Sequence, residues 1–237
     1  PRPLLPRIPL CTMRLLLFDI DGTLVRVNGR GREAVNAALS SLMDQPISAD
    51  GVTFSGRTDP AIVEAVLAHN DLPATDALIE DVIATYVETM RDVLTPADVE
   101  VLPGVSDLLA RLDAHPEIHL GLVTGNVEPI AYEKLSAHGL DEYFPVGAFG
   151  SDHAERNRLP ELATRRAADH TGRAFRPHEH AVVVGDTAHD IECARAVGAQ
   201  AVAVCTGRYG RDDLSQHDPD LLFDSLGDPS AFVQQAL

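Results

Sequence analysis

The length, composition and charge of the chain exclude several classes of protein before any motif is considered. Its 237 residues suffice for one large domain or for a core with a smaller inserted domain. A composition of 45% hydrophobic and 23% charged residues is typical of a globular protein. The formal net charge of -17 argues against nucleic acid or an anionic membrane as a partner, and no stretch approaches the ~18 consecutive apolar residues of a membrane span.

The cysteines and the N-terminal residues indicate the expected compartment. Cys11, Cys193 and Cys205 are odd in number and have no metal-binding spacing, which favours reduced thiols over a disulfide framework. Residues 1–12 are interrupted by prolines and lack the continuous apolar segment of a signal peptide. We therefore predict a flexible N-terminal extension over residues 1–12 and a cytoplasmic protein.

The most informative stretch is the apolar run 15–18 and the polar residues that follow it. A short, continuous apolar run is typical of a strand buried on both faces. It leads into Asp19, Ile20, Asp21, Gly22 and Thr23. Two carboxylates at the end of a buried strand repel each other unless a cation lies between them, and carboxylate oxygens are suitable ligands for Mg²⁺.

Residues 25–102 show a helical pattern without a second buried strand. Apolar residues at helical spacing predict helices over 32–43, 61–69 and 74–94. Asp59 is a possible N-cap of the second helix, with Pro60 at its first position. We therefore expect residues 26–102 to form a small helical domain inserted after the first strand.

From residue 103 the pattern alternates between strands and helices, which predicts a parallel sheet with right-handed crossovers. The predicted strands cover 119–123, 148–149, 181–184, 200–204 and 221–223, and the predicted helices cover 105–114, 129–138 and 159–170, with a further helix ending at 197. The expected fold class is α/β, with a Rossmann-like core of residues 13–25 and 103–237 and helices on both faces of the sheet.

Polar clusters follow three of the predicted buried strands. These clusters are Asp19, Asp21 and Thr23; Thr124, Gly125 and Asn126; and Asp186 with Asp190. The carboxyl ends of parallel strands meet at one edge of a sheet, where α/β proteins bind their ligands. We therefore expect the three clusters to converge on one crevice.

From residue 13 to about residue 207 the chain resembles the haloacid dehalogenase-like phosphatase superfamily. The stretch from Asp19 to Thr23 is similar to the first motif of that superfamily, Thr124 to its second, and Gly185-Asp186-Thr187 with Asp190 to its fourth. The inserted helices resemble its C1-type cap, as in phosphoglycolate-phosphatase-like members. The resemblance implies a Mg²⁺-dependent phosphatase that hydrolyses a small phosphorylated metabolite.

The resemblance also implies a role for each matched residue. Asp19 would attack phosphorus and form an aspartyl-phosphate, while Asp21 would act as general acid and then as general base. Thr124, with the backbone N–H groups of Gly125 and Asn126, would bind phosphate oxygens. The metal ligands would be Asp19, the backbone carbonyl of Asp21, Asp186 and, directly or through an outer contact, Asp190; for Asp190 a plain N-cap is the alternative.

The third motif of the superfamily usually supplies a lysine, and here the sequence departs from it. The single lysine, Lys134, lies late in a predicted helix and is expected to point away from the strand ends. The cation is therefore expected to be an arginine, with Arg156 favoured over Arg158. Both precede a predicted helix N-terminus, which is itself favourable for anions.

In the predicted cap, Arg57 and Asp59 lie in a loop that resembles the one before the second cap helix. Arg57 is a candidate for contact with a substrate carboxylate, and a solvated loop charge is the alternative. The role of Asp59 is left open, and no histidine is assigned a role.

Other functions of the same fold remain open. The absence of lysine from residues 26–102 argues against a phosphonatase, and Asp21 argues against a dehalogenase. A phosphosugar mutase would share Asp19 and Asp21. A non-catalytic phosphate- or metal-binding regulatory module is the alternative from a different class. The expected partner is a small phosphorylated metabolite, with no nucleic acid and no membrane, and the protein is expected to be a monomer or a homodimer.

Overall fold

A computed structural model describes residues 13–27 and 29–237 of the chain. The predicted extension over residues 1–12 lies outside these described residues. No helix in the described part of the chain is both long enough and apolar enough to cross a bilayer.

A six-stranded sheet of parallel strands organises the fold. Its strands are β1 (Arg14–Phe18), β4 (Ile118–Val123), β5 (Gly147–Ala148), β6 (Ala181–Gly185), β7 (Gln200–Val204) and β8 (Leu221–Phe223). The strand order is β5-β4-β1-β6-β7-β8, and each neighbouring pair is parallel. The chain runs from β1 to β4 and β5 on one side of β1, and then crosses back to β6, β7 and β8 on the other side. The strand order therefore reverses beside β1, which is the usual position of a ligand site.

The apolar run of β1 is buried because both faces of the sheet are covered. Leu16 and Phe18 belong to one hydrophobic core, and Leu15 and Leu17 belong to the core on the opposite face. This alternation follows from the two-residue period of a strand. None of the four side chains has any exposed surface, so β1 holds the residues that follow it in a fixed position.

Helices cover both faces of the sheet, as the sequence predicts. They are α4 (Val105–Asp113), α5 (Glu128–Ser136), α6 (Leu159–Thr171), α7 (Pro177–His180), α8 (Ala188–Ala196), α9 (Arg211–Ser215) and α10 (Pro229–Ala236). Residues of α4, α5 and α10 join one core, and residues of α6 and α8 join the other. The predicted α/β fold class is confirmed.

Among the described residues, three α-helices lie between the first and second strands of the large sheet. They are α1 (Arg30–Met43), α2 (Asp59–His69) and α3 (Asp76–Val93). Their apolar faces form a third hydrophobic core, which also includes Val127 and Ile130 beside α5. The insertion is therefore packed against the main sheet's own helix layer through shared apolar contacts.

Two features of this insertion differ from the sequence prediction. The sequence predicts no second buried strand between 25 and 102 and gives no sign of two short strands that the structure adds, β2 (Val25–Val27) and β3 (Val99–Val101), which form a small antiparallel sheet where the chain enters and leaves the insertion. These three-residue strands are too short to show a pattern. Asp59 as N-cap of α2 is wrong, because the Thr58 hydroxyl accepts the bond from the Ala61 N–H.

Candidate active site

The turn after β1 brings Asp19 and Asp21 to the carboxyl edge of the sheet. The Asp19 N–H donates to the Val184 carbonyl of β6 at 2.9 Å, which continues the sheet hydrogen bonds past the strand end. Gly22 then adopts a φ of +85°, and a Cβ there would lie 2.6 Å from Asp186 Oδ2. Only glycine fits this turn, both by backbone conformation and by space.

Asp19, Asp186 and Asp190 form a buried carboxylate cluster. One oxygen from each lies within 4.8 Å of the others, and all three residues are buried. Asp186 follows β6, and Asp190 lies in the first turn of α8. The predicted convergence of the first and last polar clusters is therefore present.

Arg156 supplies the positive charge inside this cluster. Its guanidinium lies 2.9 Å from Asp19 Oδ1 and also contacts Asp190 Oδ1, and it donates to the Gly56 carbonyl at 3.1 Å. Arg156 is buried in the short helical turn that precedes α6. Arg158 instead has a side chain 65% exposed, and in the described part of the chain its one ion pair is with Glu155, so it does not enter the cluster.

Burial raises the pKa values of two of the carboxyl groups. The pKa of Asp19 rises to about 7, mainly through burial, with an opposing effect from Arg156 and smaller upward effects from Asp190 and Asp21. Burial and then the charge on Asp19 raise the pKa of Asp186 well above its usual range. One arginine therefore does not neutralise the cluster, and a further cation would favour the ionised forms.

The residues present fit a divalent cation of the Mg²⁺ type. All the ligands on offer are carboxylate oxygens, which hard cations prefer. The oxygens of Asp186 occupy the space that a side chain at Gly22 or Gly207 would fill, since a Cβ at Gly207 would lie 1.6 Å from Asp186 Oδ2. The Asp190 carboxylate is already bound by Arg156 and by the Thr187 N–H and hydroxyl, so Asp19 and Asp186 are the better placed ligands.

The second polar cluster lies beside the first, at the end of β4. Thr124 is fully buried, and its hydroxyl accepts from the side-chain amide of Asn126 at 2.9 Å. The same amide nitrogen lies 2.7 Å from Asp21 Oδ2. Gly125 lies under the loop before α2, where a Cβ would be 2.0 Å from the Arg57 carbonyl oxygen. All three residues face the same cavity as Asp19.

The expectation that Lys134 points away from the strand ends is wrong. Its Nζ lies 2.9 Å from Oδ1 and 2.7 Å from Oδ2 of Asp21, and 2.6 Å from Asn126 Oδ1. Lys134 shares the buried face of α5 with Ile130, Ala131 and Leu135. This apolar pattern in the sequence could have revealed that the lysine faces inwards.

The candidate residues surround a cavity of about 480 Å³, a size in the usual range for small-molecule sites. Residues predicted from the sequence that line it are Asp19, Asp21, Arg57, Asp59, Thr124, Gly125, Asn126, Arg156 and Asp186. Lys134 lines it too, and the inserted helices contribute Val35, Ile62 and Tyr86. Asp190 contacts Arg156 but does not line the cavity, and Arg158 does not line it either.

Asp59 and Arg57 connect the insertion to this cavity. The Asp59 carboxylate accepts from the Val127 N–H at 2.8 Å, and its own N–H donates to the Gly125 carbonyl at 2.8 Å. Burial raises the pKa of Asp59 to about 6, although the charge on Lys134 opposes that shift. The Arg57 side chain is exposed at the cavity mouth and has no ion-pair partner among residues 13–27 and 29–237.

The fold and the site together define a class of protein. A doubly wound parallel sheet carries a carboxylate cluster and a buried arginine at the point where its strand order reverses. A helical insertion covers the cavity there. Comparison with known proteins gives the family. Residues 16–204 match the model of the haloacid dehalogenase-like hydrolase family, and the chain belongs to that family.

Individual relatives point to the phosphatases within the family. A phosphoglycolate phosphatase of Xanthomonas campestris pv. campestris is 31% identical over 226 residues, covering 93% of this chain and 98% of its own. A pyrophosphatase of Bacillus pumilus is 28% identical, covering 94% of this chain and 97% of its own. The crystal structure of a predicted phosphoglycolate phosphatase from Haemophilus somnus superposes with a TM-score of 0.70 at 21% identity, covering 94% of this chain and 98% of that one. The chain is thus an enzyme, a phosphatase of the haloacid dehalogenase-like family.

Proposed function

We propose that this protein is a Mg²⁺-dependent phosphatase that hydrolyses a small phosphomonoester through an aspartyl-phosphate on Asp19. The observation that carries the proposal is the meeting of Asp19, Asp21 and Arg156 in one cavity. A carboxylate nucleophile, a second carboxyl group and a fixed cation are the groups that two-step phosphoryl transfer needs.

In the first step, a carboxylate oxygen of Asp19 attacks phosphorus, and the bond from phosphorus to the ester oxygen breaks. Asp21 gives its proton to the departing alkoxide, so an alcohol leaves. Arg156 lies against Asp19, where its guanidinium can bind the oxygens of the phosphoryl group as its charge moves. The Thr124 hydroxyl and the N–H groups of Gly125 and Asn126 are the further donors on the same edge.

In the second step, water attacks phosphorus of the aspartyl-phosphate on the side opposite Asp19. Asp21, now ionised, takes a proton from this water. The bond from phosphorus to Asp19 breaks, which regenerates the Asp19 carboxylate and releases inorganic phosphate. Asp21 therefore ends the cycle with the proton that it needs for the next substrate.

The carboxylates of the same site would hold the proposed Mg²⁺. Asp19 and Asp186 would hold it directly, with the Asp21 backbone carbonyl, and Asp190 would act through its contact with Arg156. When bound, the ion offsets the repulsion between the Asp19 carboxylate and the phosphate dianion. The raised pKa values of Asp19 and Asp186 support this assignment, since both carboxyl groups lack sufficient positive charge without a cation.

The cavity and the insertion support a proposal for the substrate class. Residues 26–102 act as a cap that selects the substrate, and Arg57 at the cavity mouth is suited to an anionic group on the substrate. The Xanthomonas relative, a phosphoglycolate phosphatase, supports a small phosphorylated acid. We therefore propose 2-phosphoglycolate and related acids as the first substrates to test.

The test is release of inorganic phosphate from p-nitrophenyl phosphate, pyrophosphate, 2-phosphoglycolate and a set of sugar phosphates. Each is assayed with Mg²⁺, with EDTA, and with the Asp19→Asn variant. Metal-dependent release that disappears in Asp19→Asn supports the proposal, and the ranking of substrates gives the class. Interconversion of sugar phosphates without net release of phosphate would show that the protein is a mutase instead of a phosphatase. Mg²⁺ binding without turnover on any compound would favour a regulatory module.

A further inference from the structure

Lys134 is the most unusual group that the proposed mechanism does not use. It is the single lysine of the chain, and only 5% of its surface is exposed. A buried ammonium is costly unless each of its hydrogens has a partner. Here the partners are the two oxygens of Asp21, at 2.9 and 2.7 Å, and Asn126 Oδ1 at 2.6 Å. The three donors of Lys134 are therefore matched by three acceptors.

The Asp21 side chain depends on these contacts for its orientation. It is 43% exposed, so packing alone does not hold it. Across residues 13–27 and 29–237, its carboxylate receives hydrogen bonds only from Lys134 and from the Asn126 amide. Asn126 is itself held by the Thr124 hydroxyl at 2.9 Å. Lys134 and Asn126 therefore hold in place a carboxyl group that would otherwise be free to rotate.

From this contact we infer that Lys134 is the positioning residue for Asp21, and the inference rests on the proposed function. Lys134 fixes the plane of the Asp21 carboxyl group, so that one oxygen faces the ester oxygen or the attacking water. Proton transfer needs such a fixed geometry, because small displacements of a general acid reduce the rate strongly. Lys134 is anchored for this role by the buried face of α5.

The position of Lys134 also distinguishes it from the other cations of the cavity. Arg156 contacts Asp19 and Asp190, on the nucleophile side. Arg57 lies at the mouth and contacts neither Asp19 nor Asp21 by an ion pair. Among the acidic residues that the structure describes, Lys134 forms an ion pair only with Asp21, at 2.7 Å. Its removal is therefore expected to affect the proton-transfer step rather than attack by Asp19.

The experiment compares Lys134→Met with the wild-type protein on two substrates. The p-nitrophenolate group leaves phosphorus without help from an acid, whereas an alkoxide such as that from 2-phosphoglycolate must be protonated as it leaves. The value of kcat/KM reports the steps up to departure of the leaving group. We therefore expect Lys134→Met to lower kcat/KM for the alkyl ester about 100-fold. The loss on p-nitrophenyl phosphate should stay below about tenfold.

A second arm combines Lys134→Met with Asp21→Asn. If Lys134 acts through Asp21, the losses of kcat/KM from the two substitutions do not add. In the Asp21→Asn protein, Lys134→Met should then change kcat/KM for the alkyl ester by less than about threefold. Glu133→Gln is the matched control, since it removes a charge from the same helix outside the cavity. We expect it to retain wild-type kinetics. Lys134→Gln replaces Lys134→Met if thermal unfolding shows that the methionine variant does not fold.

Two outcomes would overturn the inference while leaving the proposed function intact. Equal losses on both esters would assign Lys134 a general structural role. Losses that add to those of Asp21→Asn, with a raised KM on every ester, would make Lys134 a substrate-binding group. Failure of the proposed function is distinct from both, because the wild-type protein would then release no phosphate or would keep its turnover in Asp19→Asn.

Discussion

The Arg156 guanidinium lies 2.9 Å from Asp19 Oδ1 and also contacts the carboxylate of Asp190. One buried cation thus connects the carboxylate after β1 with the carboxylate in the first turn of α8. Because a guanidinium has a planar set of donors, it can keep one carboxylate contact while it binds phosphate oxygens.

Arg156→Met is expected to abolish phosphate release and to destabilise the metal-free protein. Loss of the Arg156 guanidinium leaves two buried carboxylates without their counterion, which typically lowers the free energy of unfolding by roughly 3 kcal/mol or more. The measurements are kcat/KM and denaturant unfolding in EDTA. Arg158→Met is the matched control, since its side chain is 65% exposed, and it should change neither quantity appreciably. Equal effects in the two variants would reject the assignment of Arg156 as the counterion of the carboxylate cluster.

Asp186→Asn tests the proposed metal site separately from the nucleophile. Asp186 is buried and lies in the cluster with Asp19 and Asp190. Loss of one anionic ligand should weaken Mg²⁺ binding at least about tenfold, measured by calorimetry. Asp212→Asn removes an exposed carboxylate from α9 and should leave the affinity unchanged. Undiminished binding in Asp186→Asn would place the cation elsewhere.

The metal-free protein should lose stability as the pH rises from about 4 to about 7. The pKa of the Asp19 carboxyl group is raised from 3.8 to about 7 in the folded protein. In that range the folded state binds more protons than the unfolded state, so the free energy of unfolding falls with rising pH, by up to a few kcal/mol. Asp186 contributes in the same direction.

The measurement is thermal or denaturant unfolding in EDTA across this pH range, repeated with Mg²⁺. Mg²⁺ should restore stability above pH 7, because it favours the ionised carboxylates. Asp19→Asn should flatten part of the pH dependence in EDTA. A metal-free protein that gains stability steadily up to pH 7 would contradict the burial of uncompensated carboxyl groups.

Gly125→Ala is expected to disturb the contact between the insertion and the sheet edge. A Cβ at this position would lie 2.0 Å from the Arg57 carbonyl oxygen, so the loop before α2 must move. We expect a loss of about 1–3 kcal/mol of stability and a raised KM, measured by unfolding and by steady-state kinetics. Gly210→Ala is the control, because Gly210 does not line the cavity and its Cβ would meet only Asp213 Oδ2 at 3.8 Å. Similar effects at both positions would argue against a specific contact of Gly125.

The sheet and the meeting of the polar clusters could be predicted because local sequence determines them. Buried strands need continuous apolar runs, and β7 and β8 have the bounds that the sequence predicts. Once the strands are parallel, their carboxyl ends share an edge, and Asp19, Thr124 and Asp186 must come close. The three-residue strands β2 and β3 are too short for a periodic signal, and they form because they pair with each other across the entry to the insertion.

The contacts of single side chains could not be predicted, because tertiary packing decides them. Thr58 and Asp59 are both good N-cap residues. The threonine caps α2, and the Asp59 carboxylate instead binds the Val127 N–H. The position of Lys134 late in a helix predicts that it points away from the strand ends, yet its place between buried apolar positions of α5 turns it towards Asp21. Such choices depend on partners that are distant in sequence.

The most direct test of the account is to trap the phosphoryl group during turnover. The protein is mixed with substrate and Mg²⁺, quenched in acid within the first turnover, digested and analysed by mass spectrometry. We expect a phosphorylated peptide that contains Asp19, is cleaved by hydroxylamine as an acyl phosphate and is missing in Asp19→Asn. Release of a full equivalent of phosphate in that turnover, with no phosphorylated peptide at any time point, would contradict a covalent intermediate on Asp19.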